Sequence, residues 1–245
     1  MNAGSNAPSG SGALEPPDTV RQMFDRIVPR YDLMNKLMTF GMDRRWRALA
    51  VTSALAAQPK RALDVATGTG DFAIALAKAG VPEVVGLDLS AGMIAAAREK
   101  CAAFPQITLI QGDAMALPFA TGEFNCLTVG FGLRNMPDYQ RALNEMVRVV
   151  RPGGRVVILE MTPLPPSRFA RMFDPYFRHV VPRVGGVVTG DRTAYTYLPE
   201  SVANFPDSGR LARMLTLAGC SRVDVKLLGG GTVALHTGEV GRRRS

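Results

Sequence analysis

The sequence predicts an α/β fold: a mostly parallel central sheet with helices on both faces, N-terminal helices ahead of it and a cap segment inserted late. Three observations carry this. From Arg61 onward, short apolar runs alternate with helical segments, a texture that implies right-handed crossovers between parallel strands. The first of these runs, Leu63-Asp64-Val65-Ala66, passes directly into a glycine-rich turn, Thr67-Gly68-Thr69-Gly70-Asp71, ahead of a helix. Two more carboxylates, Asp88 and Asp113, close the next two predicted strands, so that all three acids fall along the carboxyl edge of the sheet.

The elements follow in order. Residues 1–17, rich in Gly, Ser, Asn and Pro, lack a basic start followed by an apolar run and read as a disordered tail, not a signal peptide. Residues 18–240 form the domain, of which 18–60 hold the N-terminal helices. Asp18 is expected to cap a helix carrying Val20, Met23, Phe24, Ile27 and Val28 at helical spacing, with Pro29 ending or bending it. A second helix is expected over 43–58, closed by Pro59, with the mixed stretch Tyr31-Asp32-Leu33-Met34-Asn35 between the two. Strands are predicted over 62–66, 84–88, 108–111, 126–129 and 155–159, and helices around 72–78, 91–103 and 140–150. Pro152-Gly153-Gly154 makes a tight turn before the fifth strand.

The stretch 163–200 breaks the alternation. It holds six prolines and six of the seventeen aromatics, a density that marks it as the cap inserted over the ligand end of the sheet. Phe169, Met172, Phe173, Tyr176, Phe177, Val180 and Val181 share one helical face, although Pro175 should kink that helix. Residues 241–245 form a short basic tail containing Arg242, Arg243 and Arg244.

Composition narrows the function classes. Among 245 residues, 47% are hydrophobic and 20% charged, ordinary for a globular domain. No run approaches the roughly 20 apolar residues of a membrane span. Three scattered cysteines and two distant histidines offer no metal-ligand spacing, so no metal is expected and a reducing, cytoplasmic setting is the simplest reading. The formal charge of +8 suits an anionic partner, and by itself does not choose between nucleic acid, an acidic substrate and a membrane face.

The glycine turn alone is ambiguous, because dinucleotide sites use a similar pattern and tolerate Ala at the third position, here Ala73. Asp64 helps to decide. A carboxylate four residues before Gly68 suits an ammonium group and would repel a pyrophosphate. Asp88 lies where a carboxylate can accept both ribose hydroxyls, and Asp113 could accept from an adenine amino group. Taken singly, Asp88 could be a helix cap before Ser90 and Asp113 a turn former. Together with Asp64 and the glycines they predict a shared nucleoside site.

These residues resemble the Rossmann-like class I methyltransferases. A narrower resemblance, to the quinone C-methyltransferases of menaquinone and ubiquinone biosynthesis (the demethylmenaquinone methyltransferase family), rests on further stretches. They are Tyr31-Asp32-Leu33-Met34-Asn35, Val129-Gly130-Phe131-Gly132-Leu133-Arg134-Asn135 with Asp138, Tyr195-Thr196-Tyr197-Leu198-Pro199-Glu200-Ser201-Val202 with Phe205-Pro206, and Val233-Ala234-Leu235-His236. The resemblance implies S-adenosyl-L-methionine as cofactor, with Thr69, Asp88, Asp113 and Ala114 at its binding positions; Asp64, Gly68 and Gly70, and Gly130 through its backbone, complete the expected set. Gly130 stands where some ubiquinone-pathway members have Ser, which leans toward the menaquinone branch, demethylmenaquinol to menaquinol.

Carbon methylation needs an electron-rich ring, so the acceptor is expected to be a reduced polyprenyl quinol. Arg134 is the expected polarising charge, because guanidinium stays protonated and acts electrostatically, not as a general base. Asn135 is expected to orient a phenol oxygen or a water; a loop-stabilising pair is the alternative for both. Tyr31, Asp32, Tyr195, Tyr197 and His236 are weaker substrate candidates, and a buried His on an apolar strand is more often structural.

A lipid acceptor also implies peripheral contact with an anionic membrane, on its inner face. The face around Phe169, Phe173 and Phe177, flanked by Arg168, Arg171, Arg178 and Arg183, suits an interfacial helix, with packing on the core as the alternative. Other readings stay open: a ubiquinone-pathway benzoquinol, another apolar small molecule, or a noncatalytic module. A nucleic-acid substrate is not expected, since Asn135-Met136-Pro137 poorly matches a base-flipping motif. The oligomeric state is left open, a homodimer included.

Overall fold

The computed structural model describes residues 12–13, 15–165, 168–183 and 192–241. The expectations for residues 1–11, residue 14 and the arginines at 242–244 lie outside these, as do the side chains of Arg168, Phe169, Phe173, Arg178 and Tyr195.

Seven strands form one sheet in the order β3-β2-β1-β4-β5-β7-β6. Their bounds are β1 Arg61–Val65, β2 Glu83–Asp88, β3 Ile107–Gln111, β4 Phe124–Gly130, β5 Val150–Met161, β6 Cys220–Leu228 and β7 Val233–Val240. The first five pair in parallel, whereas β7 runs antiparallel to both β5 and β6. Chain order reverses direction between β1 and β4. That switch point, at the carboxyl ends of the strands, is where an open sheet of this kind leaves a crevice.

Strand residues alternate between two cores, as the period of two requires. Leu63, Leu127, Val129 and Ile158 face one core, under helices α6 (Tyr139–Val149) and α9 (Ser208–Ala218). Ala62, Cys126, Val157 and Leu159 face the other, under α3 (Asp43–Leu55) and α4 (Asp71–Lys78). Each fully buried Leu or Ile here contributes about 1.5–3 kcal/mol. Helix α5 (Ala91–Cys101) covers β2 and β3, its start capped by Ser90, whose Oγ accepts from the Met93 N–H at 2.9 Å.

The N-terminal helices are α1 (Pro17–Ile27), a 3-10 turn at Val28–Arg30, and α2 (Tyr31–Met38). Two expectations are corrected. Asp18 does not cap α1: the helix opens on Pro17, whose fixed φ suits a first turn, and Asp18 pairs with Arg21 inside that turn at 3.1 Å. The 31–35 stretch is helical, and the helix after it ends at Leu55, ahead of the expected Gln58.

The cap holds α7 (Arg168–Pro175), a π-helical segment at Tyr176–Val180, and α8 (Arg192–Asn204). Pro175 widens the helix into the π segment instead of ending it, since proline lacks the N–H an α-turn needs. Val181, Leu198 and Val202 form a small core there, against which Met38 of α2 also packs. Cap and N-terminal helices thus make one roof over the crevice. Among the described residues, no helix is long and apolar enough to cross a membrane, and no cluster of His, Cys, Asp and Glu could hold a metal.

Candidate active site

Two adjoining cavities lie at the carboxyl edge of the sheet. The smaller, about 320 Å³, is lined by Gly68, Asp88, Asp113 and Ala114 from the ends of β1, β2 and β3. Its backbone is built for close approach. Gly68 has φ +55°, and the non-glycine residues Ala66 and Phe131, just past β1 and β4, also sit in the left-handed region at +53° and +57°. Such backbone costs about 1–2 kcal/mol per residue and persists where surrounding structure imposes it. A side chain at Gly132 would place its Cβ 2.4 Å from that of Ala66, so the two strand ends can meet only with glycine there.

Asp88 organises this edge. Its two oxygens accept the Gly68 N–H at 2.8 Å and the Ser90 N–H at 2.9 Å, joining the glycine turn to the start of α5. Burial raises its pKa. Asp113 accepts the Met115 N–H through Oδ1 at 2.8 Å, so it shapes its turn while bordering the cavity.

The remaining cofactor candidates sit behind that wall. Asp64 is buried on the strand, accepting from the hydroxyls of Thr67 at 2.6 Å and Thr128 at 2.7 Å, and does not line the cavity. Burial pushes its carboxyl up to about 7. Thr69 donates to Asp32 of α2 at 2.7 Å, and Lys100 bridges Asp32 and Asp71 at 2.5 Å each. Thr69 therefore ties the turn to the roof. Gly70, at φ +88°, leaves room for Cys101, whose sulfur would stand 2.7 Å from an added Cβ. At Gly130 an added Cβ would lie 2.5 Å from the Phe72 ring, so the glycine there accommodates a core aromatic, and it lines neither cavity.

The larger cavity, about 440 Å³, is walled by aromatic, methionine and leucine side chains, among them Phe24, Met38, Trp46, Met161, Phe177 and Leu198. Four residues line both cavities: Phe24, Tyr31, Phe131 and Asn135. They mark the passage between them. Arg134 and Tyr197 face only the larger space. Among the described residues, four buried polar atoms on this wall lack a protein partner: Arg47 Nε, Arg134 Nε, Asn135 Oδ1 and the Tyr197 hydroxyl. Buried polar atoms are ordinarily satisfied, so donors and an acceptor left open on an apolar cavity suit a ligand with hydroxyl groups.

Arg134 lies on a 3-10 turn, Leu133–Asn135, and is anchored by a residue the sequence reading missed. Its Nη1 donates to Glu160 Oε1 at 2.6 Å and to the Phe131 carbonyl at 2.6 Å, while its own N–H donates to Glu160 Oε2 at 3.2 Å. Burial is the largest influence and works against the guanidinium charge, but the opposing interactions together, the Glu160 carboxylate first among them, raise the pKa. Burial raises the pKa of both Tyr31 and Tyr197, so both hydroxyls are neutral at physiological pH.

His236 lies elsewhere. It is buried on β7, donates from Nε2 to the Ser208 carbonyl at 2.9 Å, and lines neither cavity; burial lowers its pKa. The site therefore gathers Tyr31, Gly68, Asp88, Asp113, Ala114, Arg134, Asn135 and Tyr197 around two joined spaces, and leaves Asp64, Thr69, Gly70, Gly130 and His236 outside their walls.

Comparison with known proteins bears on the same region. A model of the ubiE/COQ5 methyltransferase family matches residues 14–240. A demethylmenaquinone methyltransferase of Thermus thermophilus is 48% identical over 219 residues, covering 89% of this chain and 99% of that protein. A ubiquinone/menaquinone biosynthesis C-methyltransferase UbiE of Syntrophotalea carbinolica is 44% identical, covering 91% and 94%. Among solved structures, the [4+2]-cyclase SpnF matches with TM-score 0.73 at 18% identity over 95% of this chain and 99% of its own. A SAM-dependent methyltransferase of Thermotoga maritima, titled a possible histamine N-methyltransferase, matches at 0.58 and 18% over 90% and 99%. At that identity the structural likeness is one of fold, and the cyclase illustrates that fold does not fix chemistry.

Proposed function

Because the chain belongs to the ubiE/COQ5 methyltransferase family, and so is an S-adenosyl-L-methionine-dependent methyltransferase, we propose that it methylates a ring carbon of a polyprenyl quinol, converting demethylmenaquinol to menaquinol. The observation that carries the reading is the junction of two unlike cavities at Tyr31, Phe131 and Asn135. The smaller has the carboxylates a nucleoside needs. The larger is apolar, with a few polar atoms at the junction end, as a quinol head with a lipid tail requires.

The smaller cavity fits the cofactor on its own features: Asp88 and Asp113 at its edge for hydroxyl and amino groups, and a glycine turn without Cβ atoms beside them. Asp64 would then act on the cofactor's ammonium group through the turn it supports. When bound, the cofactor supplies an electrophilic methyl group. The chain's own residues hold the acceptor carbon in line with it, and positioning of this kind can account for most of an acceleration. A phenol ionises near pH ~10 in water. Arg134 lowers that barrier by facing the developing phenolate, and Asn135 Oδ1 accepts from a quinol hydroxyl. Tyr197 donates to a second oxygen.

A polyprenyl acceptor resides in a bilayer, so the reading includes peripheral contact with the inner, anionic membrane face. The test is incubation with methyl-labelled cofactor and either reduced demethylmenaquinol or the reduced ubiquinone-pathway benzoquinol. Label on the naphthoquinol ring carbon is expected. Label confined to the benzoquinol would move the enzyme to the other branch, and label on neither would end the quinol reading.

A further inference from the structure

The larger cavity opens between two apolar lips that the chemistry inside does not need. On one, Leu33 is 49% exposed and Leu37 46%, at the i, i+4 spacing of one face of α2, and Phe40, just past the helix end, is 75% exposed. On the other stands Met172, 70% exposed, with Val180 also outward. Phe40 stacks on Tyr176 across the gap, ring centroids 6.2 Å apart, and Phe40, Met42 and Met172 border the cavity itself. Six of the ten large exposed hydrophobic side chains among the described residues lie on these lips, a clustering that isolated surface leucines do not show.

The tip is held out by design of the backbone. Phe40 has φ +51° and Gly41 φ +72°, a left-handed pair that an aromatic residue rarely enters. The Gly41 N–H donates to the Lys36 carbonyl at 2.8 Å, and the Thr39 hydroxyl reaches the Asn35 carbonyl and the Asp43 carboxylate at 2.7 and 3.0 Å. Charge is sorted around it. Lys36, Arg44 and Arg45 are exposed beside the first lip, Arg171 and Arg183 beside the second. Two acids of the first lip turn inward: Asp32 to Lys100 and Thr69, Asp43 to Arg47 and Thr39.

We propose that the α2–α3 tip, Leu33, Leu37 and Phe40, together with Met172 and Val180, inserts into the surface of an anionic bilayer and opens the larger cavity directly to lipid. Apolar side chains ringed by Lys and Arg are the chemistry of interfacial insertion. A second copy of the chain is the poorer occupant, since a two-fold contact would set Lys36, Arg44 and Arg45 near their own like charges and close the mouth. The inference rests on the acceptor reading above for its purpose, and on the exposed lips for its evidence.

Flotation of the whole protein with phosphatidylcholine vesicles, with and without phosphatidylglycerol and at low and high salt, tests it. Wild type is expected to bind the anionic vesicles and to be released by salt. Leu33→Glu with Leu37→Glu, at residues that line neither cavity, should lower partitioning at least tenfold; Leu37→Ser, a milder change on the same face, should lower it less. Arg44→Glu with Arg45→Glu should abolish the preference for anionic lipid. Thermal melts and cofactor titration on the same preparations check that the variants remain folded. Absence of wild-type binding, unchanged partitioning of the folded leucine variants, or a dimer that those variants dissociate without loss of vesicle binding would each overturn the proposal. No acceptor is present in these vesicles, so the outcome is independent of which quinol is methylated.

Discussion

Arg134 and Glu160 form an ion pair, Nη1 to Oε1 at 2.6 Å, that locks the turn after β4 to the end of β5 with both side chains almost out of solvent. The pair changes what removal of the arginine should do. Breaking a buried pair by deleting one partner typically costs about 3–5 kcal/mol, because the other charge is stranded.

Arg134→Gln alone should therefore melt well below wild type, and so should Glu160→Gln. The double variant, with no stranded charge, should regain much of that stability. Turnover separates anchoring from chemistry. If Arg134 faces the developing phenolate, turnover should stay down by about 10²–10³ even in the stable double variant. Single-turnover methylation beside thermal melts decides the matter, and near wild-type turnover in the double variant would reduce Arg134 to an anchor.

Asp88 offers a cleaner probe of the smaller cavity. Asp88→Asn keeps an acceptor for one of the two backbone amides it now serves, Gly68 and Ser90, but loses the charge. Charge-assisted hydrogen bonds contribute about 1.5–3 kcal/mol, so binding of S-adenosylhomocysteine should weaken at least about tenfold. Calorimetry finding unchanged affinity in a folded variant would place the ribose hydroxyls elsewhere.

The parallel part of the sheet and the acids along its carboxyl edge were legible because both are local. Apolar runs of strand length, a glycine turn and an acid at each strand end need no knowledge of what packs where. Glu160 was not legible: it follows the apolar run 156–159 and meets Arg134 only because Gly130 and Leu159 are in register across β4 and β5. Helix α2 was hidden because its hydrophobic pattern is split, with Met34 buried while Leu33 and Leu37 face outward. Strand β6 was hidden by its edge position, where most of its residues are exposed and the alternation fades. The packing at Gly130 was equally out of sight: the space a side chain would take there is filled by Phe72.

The last prediction concerns pH. Asp64 is fully enclosed, and burial pushes its pKa from 3.8 up to about 7 despite the hydroxyls of Thr67 and Thr128. A raised carboxyl pKa means that the folded state holds a proton the unfolded chain has released. Its contribution to stability is thus fully present below about pH 4, declines between about pH 4 and 7, and is gone above. Three pH units correspond to about 4 kcal/mol, an order-of-magnitude figure. Asp88, also raised by burial, acts in the same direction. His236, lowered by burial, acts oppositely, losing stability as pH falls through its unfolded value. The whole-protein profile therefore mixes signs, and Asp64→Asn isolates one of them. Asparagine keeps an acceptor for one hydroxyl but cannot ionise. Wild type should lose stability relative to Asp64→Asn as pH rises from about 4 to 8, a comparison that cancels the other groups. Denaturant titrations of both proteins at matched pH measure the difference. A flat difference, or one of opposite slope, would mean that Asp64 is already ionised beneath the glycine turn at the lower pH.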